Sequence, residues 1–128
     1  MNSQNGFLLS FIKYGENDAI LHCFTEEEGF QTYFLKGIYT KKNKKKAFLL
    51  PLNKLNFSIR VGKTGSMQTI SNLEMLNLHD VYTDIKANTV VFFISDFLNQ
   101  ILKNENKNST VFYLIDEFID QLNSKNYQ

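Results

Sequence analysis

The stretch Lys54-Leu55-Asn56-Phe57-Ser58-Ile59-Arg60-Val61 alternates without a break: Leu55, Phe57, Ile59 and Val61 are apolar, and the residues between them are polar. Successive side chains of a β-strand point to opposite faces, so this pattern specifies a strand with one face in a core and one in water. Downstream, Gly62-Lys63-Thr64-Gly65 turns the chain into a fifth strand, Met67 to Glu74. Upstream lies a long basic connection, Thr40 to Pro51. Before it, Gly6–Lys13, Ala19–Thr25 and Phe30–Lys36 read as three strands, separated by a turn at Tyr14–Asp18 and by Glu26-Glu27-Glu28-Gly29. The glycine that ends the second turn supplies the positive φ a reversal needs. Five short strands with glycine-marked turns and one long connection predict a small barrel.

The period then changes. From Asp84 to Lys103 the apolar residues Ala87, Val90, Val91, Ile94, Phe97, Leu98 and Ile101 recur at three and four, the spacing of a helix face. Asn104 to Asn108 is a polar break, and Ser109 is the expected N-cap of a second helix reaching about Asn123. The two apolar stripes predict an antiparallel helical hairpin that must bury its flank against the barrel, a partner or a further helical domain. The expected division is therefore a barrel domain over 1–80 and the start of a helical domain over 81–128.

Composition narrows the function. The 128 residues are 43% hydrophobic with 18 aromatics among them, enough for a packed core. One cysteine excludes an internal disulfide framework. Met1-Asn2-Ser3-Gln4-Asn5 does not resemble a secretory signal, and the longest apolar run, Val90 to Ile94, is far too short to cross a bilayer. The expectation is a cytoplasmic, nucleoid-associated chain with no membrane contact. Its net charge of +1 hides a partition: residues 30–70 carry eight lysines and Arg60 with no carboxylate, while both flanks are acidic. Such a segment projects a strong positive field towards polyanions. Thirteen of the fourteen basic residues are lysine, which suits phosphate contact better than the forked reading of a base edge.

No catalytic set emerges. Neighbouring His22 and Cys23 on a strand point to opposite faces and cannot share a metal, and His79 stands alone beside Asp80. Gly62-Lys63-Thr64 lacks the earlier glycine of a phosphate-binding loop, since position 57 is phenylalanine, and it leads into a strand rather than a helix. Glu26, Glu27 and Glu28 occupy a turn, where carboxylates ordinarily cap and solubilise. The reading is of a non-enzyme with no cofactor and no metal.

Several short pieces, in order, resemble the N-terminal half of the RecO family of bacterial recombination mediators. They are Gly6-Phe7-Leu8-Leu9, Tyr14-Gly15-Glu16, Phe24-Thr25-Glu26-Glu27-Glu28-Gly29, Leu35-Lys36-Gly37-Ile38 with its basic tail, and Leu50-Pro51-Leu52. The resemblance covers essentially the whole chain. It implies an OB-fold barrel followed by helices, and binding of single- and double-stranded DNA. It also implies strand annealing, and work with RecR and single-strand-binding protein to load the recombinase. Family members continue for about another domain of helices, where a zinc element of some members and the contact for single-strand-binding protein are expected. Leu50 departs from the glutamine common at that position.

On such a scaffold the basic connection is the leading candidate. Lys36, Lys41, Lys42, Lys44, Lys45 and Lys46 form a dense cluster, and OB-folds bind strands by pairing a basic groove with aromatic faces. Tyr33 and Tyr39 flank the cluster as candidate stacking rings, with Phe48 a weaker one. Lys54 and Arg60, on the outward face of the fourth strand, extend the expected footprint. The rival reading is a protein-interaction adaptor, in which the hairpin or the lysines dock an acidic partner.

Overall fold

A computed structural model describes residues 2–60, 67–76 and 85–124. It contains strands β1 (Asn2–Tyr14), β2 (Asp18–Thr25), β3 (Gly29–Leu35), β4 (Lys54–Arg60) and β5 (Gln68–Met75), then helices α1 (Ile85–Ile101) and α2 (Ser109–Ser124). The strands close a barrel in the order β1-β2-β3-β5-β4, with β4 returning to β1. All neighbours are antiparallel except β3 and β5. This is the expected OB-fold followed by a helical hairpin. The expected turn at Gly62–Gly65 and the connection carrying His79 and Asp80 lie outside the described residues.

Strand β1 runs longer than its sequence pattern suggests because it serves two partners. Residues 2–7 pair with β4 and residues 6–14 with β2. Its register slips between Leu8 and Ser10, leaving Leu9 as a one-residue bulge. A bulge switches which residues face inward, and Leu8 lies in the barrel core while Phe7 and Leu9 lie in a second core outside it. The inner core also holds Leu21, Cys23, Tyr33, Leu55 and Phe57, as the alternation of β4 requires.

The outer core joins barrel to hairpin. Phe7, Leu9, Phe24 and Leu52 meet Val91, Phe112, Ile115 and Ile119, with the rings of Phe7 and Phe112 4.9 Å apart. Ser95, a buried hydroxyl on the apolar face of α1, donates to the carbonyl of Leu9 at 2.7 Å. It thereby satisfies a backbone group that the bulge frees from the ladder. The N-cap of α2 is Asn108 rather than Ser109: its side-chain oxygen accepts from the amide of Val111 at 3.1 Å. The chain geometry puts the cap one residue earlier, at the end of the polar break.

The hairpin loop presses on the second turn of the barrel. Phe30 donates its amide to the carbonyl of Glu105 at 2.9 Å, and Gly29, at φ +74°, lies so close to Glu105 and Asn106 that a Cβ there would overlap their backbone. Gly15 also has a positive φ, of 67°, but faces open space. Alanine at 15 carries only the left-handed backbone penalty, about 1 kcal/mol. Alanine at 29 adds displacement of the hairpin loop. In urea titrations Gly29→Ala is expected to lose roughly 3 kcal/mol or more, against roughly 1 kcal/mol for Gly15→Ala. Equal losses would mean that the loop yields freely.

Candidate nucleic-acid interface

The basic connection between β3 and β4 is a hydrogen-bonded element. It opens at Gly37, whose φ of +74° turns the chain and whose amide donates to Asp18 Oδ1 at 2.8 Å. The Gly37 carbonyl then accepts from the Thr40 hydroxyl at 2.9 Å and the Asn43 side chain at 3.3 Å. Asn43 Oδ1 accepts from the Lys45 amide at 2.7 Å, just before a single turn of 3-10 helix at Lys45–Phe48. The Asn53 side chain donates from Nδ2 to the Phe48 carbonyl at 2.8 Å and draws the chain into β4. Two apolar residues anchor the element: Ile38 and Leu49 enter the barrel core. The connection therefore plugs one end of the barrel while presenting its lysines outward.

Those lysines divide by geometry. Lys36, Lys41, Lys42, Lys44 and Lys46 are exposed, and among the described residues none of them has an ion-pair partner. Lys45 is different. Its ammonium donates to the Leu73 carbonyl at 2.8 Å and pairs with Glu74 at 2.7 Å, pinning the connection to β5. Between connection and strand runs an open groove of about 530 Å³, bordered by Lys36, Lys42, Lys44 and Lys45 and floored by Ile70 and Leu73.

Other expected site residues lie apart from this groove. Lys54 does face outward, but α2 covers that end of β4. Its ammonium pairs with Asp116 at 3.2 Å and sits 5.9 and 5.7 Å from the ring centres of Phe7 and Phe112. Lys54 thus belongs to the barrel–hairpin seam, because a charge there gains an ion pair and two ring faces. Arg60, at the far end of β4, is exposed. Tyr33 is corrected outright: it is fully buried against Phe57 in the barrel and cannot stack on a base. Tyr39 is half-buried with Lys13 over its ring at 5.2 Å, and Phe48 packs against the core.

Two glutamates of the second turn, expected to be merely solvated, reach the hairpin, and the third reaches β1. Glu26 accepts from the Tyr113 hydroxyl at 2.6 Å, Glu27 meets Lys107 at 3.5 Å, and Glu28 accepts from Gln4 at 3.1 Å. The Tyr113 hydroxyl is held protonated above its ordinary range, first by that hydrogen bond to Glu26. No spacing rule could reveal these partners, which are far away in sequence. His22 and Cys23 do point apart. The imidazole lies outside, stacked on Phe30 at 5.6 Å and bonded to Thr32, and partial burial and then the charge of Lys103 lower its pKa. The thiol lies inside the barrel.

Comparison with known proteins agrees with this architecture. Residues 1–79 match the family model described as Recombination protein O N terminal. The chain belongs to that family. Among similar curated proteins are those named DNA repair protein RecO from Flavobacterium psychrophilum, 28% identical over 91% of this chain, and Photobacterium profundum, 28% identical over 94%. A third, from Flavobacterium johnsoniae, is 26% identical over 85%. The chain spans about half the length of these RecO relatives. The RecO N-terminal match ends close to where the helices begin, so both the barrel and its lysine connection fall within it.

Burial pushes the Cys23 thiol up to about 12. At pH 8 almost none of the thiol is then ionised, and the thiolate is the reacting species. Alkylation by iodoacetamide should therefore be negligible in the folded protein and become rapid in denaturant, tracking unfolding monitored by circular dichroism. Rapid labelling of the native chain would mean that the barrel opens at Cys23.

Proposed function

We propose that this chain binds DNA, single-stranded and duplex, without sequence preference and performs no covalent chemistry. The observation that carries the reading is the ordered, lysine-bearing connection: five exposed ammonium groups on a hydrogen-bonded scaffold beside an open groove. Ammonium groups neutralise phosphates, which repeat identically along any strand, and release condensed counterions. Two strands so neutralised repel each other less while their bases stay free to pair, which is a physical route to annealing. The RecO names of the relatives support a role in recombinational DNA repair, in which annealing and assistance to recombinase loading would belong to the longer protein. The barrel, 1–80, would carry the DNA contact, and 81–128 would begin the helical domain that extends in the longer relatives. RecR and single-strand-binding protein are the partners this reading carries, the latter through parts of the relatives that this chain does not span.

The adaptor reading has one observation in its favour. Val90, Phe93, Phe97 and Ile101 form an exposed apolar stripe on α1, Leu114 is exposed on α2, and a stripe of this kind suits protein contact. It concerns the hairpin, whereas the lysines lie on the barrel, so the two readings assign different surfaces.

Replacing Lys41, Lys42, Lys44 and Lys46 together with glutamine should weaken binding of every oligonucleotide by a similar factor. The log–log salt slope for a single strand should fall in magnitude by about 0.7 per lost contact, roughly 3 for all four. Lys45→Gln alone should change the thermal midpoint more than the salt slope, since its ammonium is committed to β5. Fluorescence titrations at several salt concentrations, with an acidic peptide as competitor, check the slopes, and thermal denaturation checks the midpoint. An unchanged slope in the fourfold variant, or displacement of oligo-dT by the peptide at equal charge, would move DNA binding elsewhere.

A further inference from the structure

The outer wall of the barrel is organised in cross-strand rows that change character with distance from the hairpin. In the first row Phe7, Phe24 and Phe30 are aligned across β1, β2 and β3, and the helices cover it. In the second, Ser10, His22 and Thr32 are aligned; the Ser10 hydroxyl donates to Asn99 of α1 at 3.1 Å, and His22 and Thr32 are bonded to each other. The third row reverts to apolar residues: Ile12, Ile20 and Phe34 lie side by side. Tyr14 packs edge-on against Phe34, with ring centres 6.0 Å apart. Ile12 and Tyr14 are 60% and 57% exposed, and Ile20 and Phe34 are partly exposed. The register carries this row onward through Thr69 of β5 to Arg60 of β4.

These residues contribute little to either core, and leaving them in water gains nothing for stability. Their surroundings say what they suit. Phe34 lies two residues before Lys36, at the mouth of the basic connection. That connection is stitched to the β1–β2 turn beside Tyr14 by the Tyr39 amide on the Asn17 carbonyl at 2.9 Å and the Gly37 amide on Asp18. Phe34, in the middle of the row, therefore adjoins exposed Lys36, and beyond Thr69 the row ends in exposed Arg60. An aromatic patch beside cations matches a polyanion that also offers flat apolar faces.

We propose that Tyr14 and Phe34, flanked by Ile12 and Ile20, form a platform on which unpaired bases of single-stranded DNA stack while their phosphates run along Lys36 and the lysine connection towards Arg60. The proposal rests on the DNA-binding reading above and deepens it. Duplex DNA keeps its bases stacked on one another, so the platform adds affinity only for unpaired strands. Stacking releases no counterions, so it leaves the salt slope unchanged.

The chain has no tryptophan, which makes an introduced indole a clean reporter. Phe34→Trp should retain oligo-dT binding, and its fluorescence should be quenched on addition of oligo-dT but much less by a blunt duplex of equal length. Tyr14→Leu and Phe34→Leu keep apolar bulk and remove the π-face. Each should weaken oligo-dT binding by roughly five- to a hundredfold, with the salt slope and duplex affinity unaltered. If wild-type protein binds oligo-dT and the fourfold lysine variant weakens it, yet both leucine variants bind normally and the introduced indole is not quenched, the platform is refuted while DNA binding stands. If wild-type protein binds neither nucleic acid, the underlying reading fails first. An indole that responds to an acidic peptide and not to oligo-dT assigns this face to a protein and also overturns the proposal.

Discussion

The fold turns on the bulge at Leu9. Strand β1 must close the barrel against β4 and also lead the meander into β2, and a flat strand of that length cannot face both ways. One unpaired residue bends it and exchanges its inward and outward positions. The same bend turns out backbone groups that two other parts of the chain use. Leu8 exchanges hydrogen bonds with the end of the basic connection through Leu52 and Asn53, and the Leu9 carbonyl receives the Ser95 hydroxyl of α1. Barrel closure, the return of the connection and the seating of the helix thus share one stretch of backbone.

From this arrangement follows the character of the basic connection. A run of closely spaced lysines ordinarily stays solvated and mobile, because mutual repulsion and side-chain entropy oppose order. Here Ile38 and Leu49 are buried in the barrel, and backbone and side-chain hydrogen bonds span the residues between them. Apolar burial and hydrogen bonding hold the lysines in place although their charges repel. A partner meeting them faces cations whose backbone is already ordered, so less entropy is lost on binding.

Much of this is legible in the sequence where a pattern has one meaning. Strand β4 reads cleanly because its outward positions are all polar, and both helices announce themselves by period. Strands β1 to β3 resist because apolar residues line both their faces: Leu21 and Leu35 point inward, whereas Phe24 supports the helices and Ile20 and Phe34 meet solvent. Period alone identifies a strand and its two faces, but not which part of the outer face a helix will cover. For the same reason Lys54 passed for a surface cation. Its partner, Asp116, is 62 residues away, and only the docking of α2 brings them together. The lysine cluster was visible as composition, but the distinction between Lys45, a strut, and its exposed neighbours needed the positions of Leu73 and Glu74.

The close approach of Gly29 to Glu105 and Asn106 bears on how the molecule comes apart. An all-backbone contact has no flexible side chain to absorb movement, and beside it Phe30 gives its amide to the hairpin loop. With the aromatic seam of Phe7 and Phe112 at the other side of the same layer, the hairpin cannot lift without stripping hydrogen bonds and apolar cover from the barrel wall. The amide of Phe30 should therefore exchange with solvent only in openings that part the hairpin loop from the barrel.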